Sequence, residues 1–580
     1  MALDTSKTAH EIITSGRSTG QTVIDSDKKM KWALHNLVDT RLDNDSLWTP
    51  LNLSSVTQPS LNAAGRKVYL LTENDQGGNH IISTGAAFTS GRTYTLEFHA
   101  KSNGRMASVG TGSTFGFEQW VVDLDTLAIT KQTGTSTTST VTAVLQSDGY
   151  VKITFTATAT STTISAFQIR LWDNVSDGDT VYTGDGTSGL YVSEAKVYQS
   201  TLGPIATSLA DAMQRDKNGS NFLENETGAA LYSLGVNYES GVGGMQVWEG
   251  RTNLIYPFAA NAVWVADNAA TVEVQAENVL GTFGGLRVVS GGNQAGAAYN
   301  ATSYSLTNGT SYAISVLWAA GTSSTMYFRC DNIGVNGSSA TMESDGTFTS
   351  LSTTAGTFAE SSHKEIAPGI YRSTCTFVPN FTATGRFLFG PRSSTVGEYV
   401  TVYAAQAEAG SSGGPWIPTF GSTETRGADS LSTLLSSFGY NVNEGTVVVD
   451  FITAGSDGAD FPRVWQLSTS VDNTTRAGVT AINTYTMNVV DNLVVQAALV
   501  MDAIVPFEPV SIASAFKTDD FSASQDGGAV VTDTSGTLPT TFTQMLYGKA
   551  FIGDRLNGEI RKLAYYPKRL SNTTLVEASS

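Results

Sequence analysis

Five histidines are spread through the chain, at His10, His35, His80, His99 and His363, and none forms an HExxH or other recognisable ligand spacing. His99 falls on the polar side of a strand pattern and is expected at the surface. GxSxG occurs at Gly16–Gly20 and Gly410–Gly414, but neither leads into a helical pattern as a nucleophile elbow does, and there is no P-loop and no CxxC. Carboxylates are plentiful, with 52 Asp and Glu residues, and two of them about 5 to 9 Å apart would serve as an acid and a base for glycoside cleavage. No further signal selects such a pair. The residue types point to a chain that binds, and it is expected not to be an enzyme.

Two kinds of binding chemistry can be placed on residues. The run "WDNVSDGDTVYTGDGTSG" carries Asp173, Asp177, Asp179 and Asp185 among glycines. Oxygen-rich loops of this kind can hold a structural Ca2+, the only cofactor the sequence suggests. The spacing is not that of an EF-hand, and a pair of Asx turns explains the same residues. Sugar binding needs an aromatic ring for the apolar face of a pyranose, with amides and carboxylates for its hydroxyls. Trp120, Trp172, Tyr182, Trp318 and Tyr327 are the candidate rings, each equally readable as core. Asp526 and Asn557 are candidates at loop tips, and both also suit turns.

The elements that must position these residues are strands. Fifty-seven glycines, with Ser, Thr, Asn and Asp between short apolar runs, suit many strands joined by tight turns. A period of two is explicit in "TYTLEFHAK" and in "YVKITFTATAT", where every second residue is apolar. These runs also recur. "WALHNLVDTRLDNDSLW" (Trp32 to Trp48) is echoed by "WEGRTNLIYPFAANAVW" (Trp248 to Trp264). "GRTYTLEFHAK" answers "GTSYAISVLWA", "DGYVKITFTATAT" answers "PGIYRSTCTFVPN", and "GLYVSEAKVY" answers "EYVTVYAAQAE". Four landmarks in one order mean a tandem duplication of an all-β module. Trp48 and Trp264 recur at the same place and are expected to be structural.

The domain reading is therefore an N-terminal segment at 1–43 with little regular structure, a β-sandwich at 44–203, a connector at 204–252, a second copy of the sandwich at 253–418 and a different unit at 419–580. In the last unit "EGTVVVDFIT" alternates, Asp526-Gly527-Gly528 suits a hairpin, and a short terminal helix is expected to be capped by Ser571. Cys330 and Cys375 both lie in strand-like runs of the second copy and read as buried thiols, their pairing left open. A net charge of −18 argues against nucleic acid as the main partner. No run reaches the roughly 20 apolar residues of a membrane-spanning helix, and the start has no secretory signal pattern.

Three stretches resemble modules of tailed-bacteriophage virion surface proteins, of tail fibre, tail spike or head fibre type. They are "EGRTNLI" followed by a Trp; "VYTGDGTSGLYVSEAKVY" with "VYAAQAEAGSSGGPWIPTFGSTETRGAD"; and "GTVVVDF…FKTDDFSASQDGG…LNGEIRKLAYYPKRLS". The resemblance implies an all-β chain of tandem jelly-roll sandwiches of carbohydrate-binding type, then a concanavalin A/laminin G-like jelly roll. It implies a protein made in the host cytoplasm and carried on the virion surface. There the N-terminal segment would meet other virion proteins, the chain would form a homo-oligomer (a trimer is favoured), and the sandwiches would attach to host surface polysaccharide. Two other readings stand beside this one: a purely structural decoration protein, and a surface depolymerase. Against the last, nothing resembles the long parallel β-helix on which phage depolymerases are usually built. If the duplication serves valency, both copies should expose an aromatic cleft.

Overall fold

The computed structural model describes residues 14–16, 22–24, 30–32, 35–38, 42–43, 45–61, 67–173, 181–200, 231–232, 236–237, 244–256, 264–275, 284–300, 303–332, 335–420, 422–455, 461–470, 472–480, 482–550 and 555–580. The chain divides into two compact units, Leu34–Ser233, and Met1–Ala33 with Leu234–Ser580. The fold is all-β, built of sandwiches, as the alternation and turn residues predict. Among the described residues no helix is long and apolar enough to cross a membrane.

The unit Leu34–Ser233 is a sandwich of two six-stranded sheets. One runs, in spatial order, Thr140–Leu145, Val151–Thr158, Thr93–Asn103, Gly189–Gln199, Lys67–Glu73 and Leu53–Leu61; the other runs Ile129–Thr133, Gln119–Val122, Met106–Thr111, Thr163–Trp172, Ile81–Phe88 and Thr49–Leu51. Strict alternation in Val151–Thr158 buries Val151, Ile153, Phe155 and Ala157 between the sheets. Trp48, Phe98 and Phe167 meet them there, each fully buried side chain of this size contributing about 2–3 kcal/mol.

Strand Thr93–Asn103 corrects one expectation. His99 is only 3% exposed. The strand is central, with partners on both edges, and its outward polar residues satisfy one another. His99 Nε2 lies 3.3 Å from Glu194, and Glu97 faces Lys152 at 2.8 Å. Glu194 itself has φ of 57°, at a bulge where the register shifts between Glu97 and His99.

The second copy lies in the other unit. Its six-stranded sheet runs Thr271–Val274, Leu286–Val289, Tyr399–Ala409, Tyr312–Ala320, Ile370–Pro379 and Gly356–Ala367. The facing sheet runs Trp264–Asp267, Ala297–Asn300, Ala383–Pro391, Thr325–Asn332, Val335–Glu343 and Phe348–Ser352, with Tyr304–Leu306 also paired to Ala383–Pro391. Cys330 and Cys375 are free and buried, on opposite sheets of this sandwich. Burial, then the charge of Asp331, pushes the Cys330 thiol up.

The repeat reproduces several of its fasteners. Asn36 and Asn253, the echoed asparagines, are both fully buried. Asn36 Oδ1 accepts from the Val38 and Val197 amides at 3.3 and 3.0 Å; Asn253 Oδ1 accepts from those of Ile255 and Ala407 at 3.0 and 3.1 Å. In each case the entering chain is thereby laid against the last long strand. Tyr94 and Tyr312 take the Thr89 and Thr307 amides on their hydroxyls at 2.9 and 3.0 Å. Gly91 and Gly309, at φ of 78° and 75°, turn the chain at the same corner. Trp48 and Trp264 both sit in the core, against Phe167 and Phe389.

The C-terminal sandwich has two seven-stranded sheets, and distant chain completes both. Thr14–Gly16 pairs with Ser430–Ser432, so part of the N-terminal segment is a sheet edge. From the presumed connector, Gly244–Val247 pairs with Gly558–Ile560. Asp526 at φ 48° and Gly527 at φ 71° turn the chain between Phe521–Gln525 and Val531–Asp533. The helix Asn572–Ala578 is capped by Ser571, whose hydroxyl accepts from the Thr574 amide at 3.2 Å.

Candidate functional site

Three places bring chemistry-bearing residues together, and two of them are the outward faces of equivalent sheets. The third is a polar knot at one end of the first sandwich. There Glu73, with no exposed surface, takes Arg105 Nε on Oε2 at 2.8 Å and Nη2 on Oε1 at 2.5 Å. Tyr182 donates its hydroxyl to Oε2 at 2.8 Å, and the Asp185 amide donates to Oε1 at 2.7 Å. The His80 ring lies 4.4 Å from that of Tyr182. Burial alone would lower the Arg105 pKa, but the bonds and charge of Glu73 outweigh it and raise the guanidinium above its usual value. Burial and then Glu73 push the Tyr182 phenol up. Every lone-pair direction of Glu73 is used, so the knot closes loop ends.

The same knot absorbs part of the calcium candidate. Asp185 accepts from the amides of Thr187 and Ser188 at 2.7 Å each and from the Ser188 hydroxyl at 2.6 Å, and faces Arg105 at 3.2 Å. These bonds, the Ser188 hydroxyl first, hold its carboxyl well below the usual range. Asp173 is exposed, and Asp177 and Asp179 lie outside the described residues. No group of three or more His, Cys, Asp or Glu among the described residues is placed to hold a metal ion.

The other predicted aromatics divide by the direction of their strand. Trp318 is wholly buried and donates Nε1 to Ser373 Oγ at 2.8 Å. Trp172 is 1% exposed. Neither offers an open ring face, because each sits where its sheet is covered. Trp120 is half-buried, packs against the first core, donates Nε1 to Glu118 at 3.0 Å and lies under Lys131 at 5.3 Å. In the C-terminal unit Asn557, at φ 49°, is an internal tie: Glu249 N–H donates to its Oδ1 and its Nδ2 donates to Glu249 Oε1, each at 3.0 Å. Exposed Asp526 accepts from the Ser511 amide at 2.8 Å.

Tyr327 is also nearly covered, at 3% exposed, but it lies on an outward sheet face beside half-buried Tyr299 and a group of charged side chains. In Thr325–Asn332, Met326, Phe328 and Cys330 enter the core, so Tyr327, Arg329 and Asp331 face out. From neighbouring strands Tyr299, Leu388 and Ala297 join Tyr327 in a small separate apolar cluster. Arginines overlie it: Arg386 is 4.3 Å from the Tyr299 ring and Arg392 is 5.2 Å from the Tyr327 ring. Arg329 Nε donates to Asp331 at 2.6 Å and its Nη1 to Asp267 at 3.3 Å, while Arg386 stands 3.5 Å from Asp331. Burial outweighs Arg329 and Arg386 and raises the Asp331 pKa above the ordinary carboxyl value. The result is a layered surface of two phenols, three guanidiniums and two carboxyls.

The first copy carries different residues on the equivalent sheet. Registers that set Ile169 opposite Val109 and Ile82, and Phe389 opposite Phe328 and Ala298, make the positions correspond. Ser108 then stands where the second copy has Tyr327, Ser83 where it has Tyr299, and Arg170 where it has Gly390. Half-buried Arg170 donates to Gln168 Oε1 from Nε at 3.1 Å and from Nη2 at 2.5 Å. Its seat is Gly110, where a Cβ would meet Arg170 Nε at 2.7 Å. The matched aromatic clefts that valency requires are therefore absent from the described residues. Sequence reading missed Arg170, Arg329, Arg386 and Arg392 because it selected by ring type, and it also passed over Tyr299. Following the period of two through "TMYFRCDN" and "ATGRFLFGP" would have found Arg329 and Arg386.

No protein-family model and no curated protein matches the chain. It is similar to the CBM40 of a Ruminococcus gnavus IT-sialidase bound to α2,3 sialyllactose, at 14% identity over 24% of this chain and 84% of that one, with TM-score 0.22. It is similar to domains LG4-5 of the mouse laminin α1 chain, at 10% identity over 56% and 90%, with TM-score 0.19. A Trypanosoma rangeli sialidase is also similar, at 9% identity over 97% and 98%, with TM-score 0.22. That an enzyme stands among these structures overturns the expectation of a chain without chemistry, and the exclusion is withdrawn. No residue role is carried over from any of them.

Proposed function

We propose that this chain binds glycan on the outward faces of its sandwiches, the second copy's face around Tyr299 and Tyr327 being the principal site. The observation that carries this is the layering there of aromatic rings, guanidiniums and carboxyls on a rigid sheet. Half-buried Tyr299 offers the apolar surface for a pyranose, nearly covered Tyr327 backs it, and the charged groups offer directional partners for hydroxyls. A sheet fixes such groups better than loops do.

The resemblance of three stretches to phage virion proteins supports a place on the surface of a phage particle, with host polysaccharide as the ligand. In this reading the N-terminal segment joins the chain to other virion proteins, and copies associate as a trimer. The test is binding of purified full-length protein to bacterial cells, with and without competing purified surface polysaccharide. Saturable binding that polysaccharide abolishes, and that Tyr299→Ala weakens at unchanged melting temperature, is expected. Firm incorporation into particles with no cell binding would replace adhesion by a decoration role.

A further inference from the structure

We propose that the glycan is anionic, bearing carboxylate or sulfate groups, and that Arg392, with Arg386 and Arg329, receives it on the second copy and Arg170 on the first. This rests on the glycan-binding reading above and narrows it to a ligand class.

Both copies place arginine on the same sheet face, yet at non-equivalent positions. Arg170 corresponds to Gly390, Arg329 to Gly110 and Arg386 to Ala166. Shared descent of a folding residue would keep one position; here the charge recurs while the position does not. None of these side chains enters the core between the sheets.

Two of these arginines, Arg170 and Arg392, are also short of counter-charge. The chain has 52 acidic and 34 basic residues, so carboxylates to pair with are abundant. Even so, among the described residues Arg170 makes no ion pair, and its side chain bonds only to Gln168. Burial lowers its pKa, the sign of a cation held out of water without an anion beside it. Arg392 makes no ion pair among the described residues and lies on the Tyr327 ring. A guanidinium over a ring face spends none of its N–H donors on the ring, and its planar fork can take a carboxylate or sulfate with two parallel bonds. Arg329 and Arg386 share Asp331, and Arg329 also pairs with Asp267.

Matched polysaccharide pairs test this: dextran sulfate against dextran, and polygalacturonate against its methyl ester, each immobilised and challenged with full-length protein at two salt concentrations. A net charge of −18 repels polyanions at long range, so retention on them reports a local site. Saturable, salt-sensitive retention on the charged member of at least one pair is expected, with the neutral member not retained. Arg392→Gln and Arg170→Gln should each weaken it about tenfold or more at unchanged melting temperature, and Arg392→Lys should lose less than Arg392→Gln. Equal retention on charged and neutral members would overturn the anionic assignment and leave glycan binding standing. Charged-member retention that neither glutamine variant alters would overturn the residue assignment. No retention on any of the four, together with no polysaccharide-competed cell binding, would overturn both readings.

Discussion

Replacing Asn253 by alanine should unfasten the second sandwich. Its Oδ1 accepts from two amides, Ile255 and Ala407, and its Nδ2 donates to the Ile417 carbonyl at 2.9 Å. Asn253 is fully buried, so the substitution leaves three polar groups without partner in a space too small to wet freely. Each orphaned buried group costs about 1–3 kcal/mol, and the low end for all three gives about 3 kcal/mol. For a domain of this size that corresponds to a fall in Tm of roughly 6–12 °C.

Differential scanning calorimetry of the full chain reads this directly. The loss should fall on the transition of the unit containing Leu234–Ser580, whereas Asn36→Ala should lower that of Leu34–Ser233. Asn253→Asp makes the reasoning stricter. It keeps the acceptor and the volume but puts an oxygen against the Ile417 carbonyl, so it should also destabilise. A shift below about 2 °C for Asn253→Ala, or a stable Asn253→Asp, would refute the account of the echoed asparagine as a fastener.

Other outcomes follow from single contacts. Arg426 and Asp429 form a pair at 2.8 Å with side chains 2% and 0% exposed, so Asp429→Ala should cost about 3–5 kcal/mol by stranding a buried cation, read as a lower urea midpoint at unchanged slope. Burial would raise the Glu118 carboxyl, but Lys131, Ser139, Ser136 and Trp120 together lower it. A folded pKa below the unfolded one gives stability that is present above the unfolded value, roughly 4.3, and is lost as pH falls through the folded value. The first sandwich should therefore melt progressively lower on acidification below that point, and Glu118→Gln should flatten the profile; a profile the substitution leaves unchanged would refute this. Because Asp185 already serves Ser188, Thr187 and Arg105, EDTA should leave the melting temperature unchanged, and a fall of several degrees restored by Ca2+ would establish an ion after all.

What could be read from the sequence was what repeats at short range. Val151–Thr158 announces its buried face by alternation alone, and Ser571 announces the helix it caps. His99 was misread because alternation tells which side of a sheet a residue is on, and says nothing of whether that side is covered. Trp318 and Trp172 show the same limit for rings. Asn557 looked like a loop tip, and it does adopt a positive φ, but its partner Glu249 lies far away in sequence. The pairing of Thr14–Gly16 with Ser430–Ser432 is likewise long-range, and three residues carry too little pattern to specify a partner strand. The arginine face was legible in principle, since strand period fixes which residues share it.

The duplication keeps its fasteners and changes its outward surface, and the physics explains the division. Asn36 and Asn253, Tyr94 and Tyr312, Gly91 and Gly309 each hold backbone groups that would otherwise be buried unpaired, so a change at any of them costs stability at once. The outward face carries no such burden. Ser108 and Tyr327, or Arg170 and Gly390, differ between the copies, each with its own seating: a Cβ at Gly390 would meet the Gly296 carbonyl oxygen at 2.8 Å. The sandwich core constrains that face less than it constrains the fasteners, and what occupies the face reflects use. Identical sites repeated for avidity would be held alike by their shared ligand, yet the first copy presents Arg170 and Gln168 among small residues and the second presents Tyr299 and Tyr327 under arginine. Two different sites on one scaffold account for this better than one site twice. Arg170→Gln and Arg392→Gln should then shift the ranking of charged polysaccharides in different ways, and identical shifts would restore the simple multivalent reading.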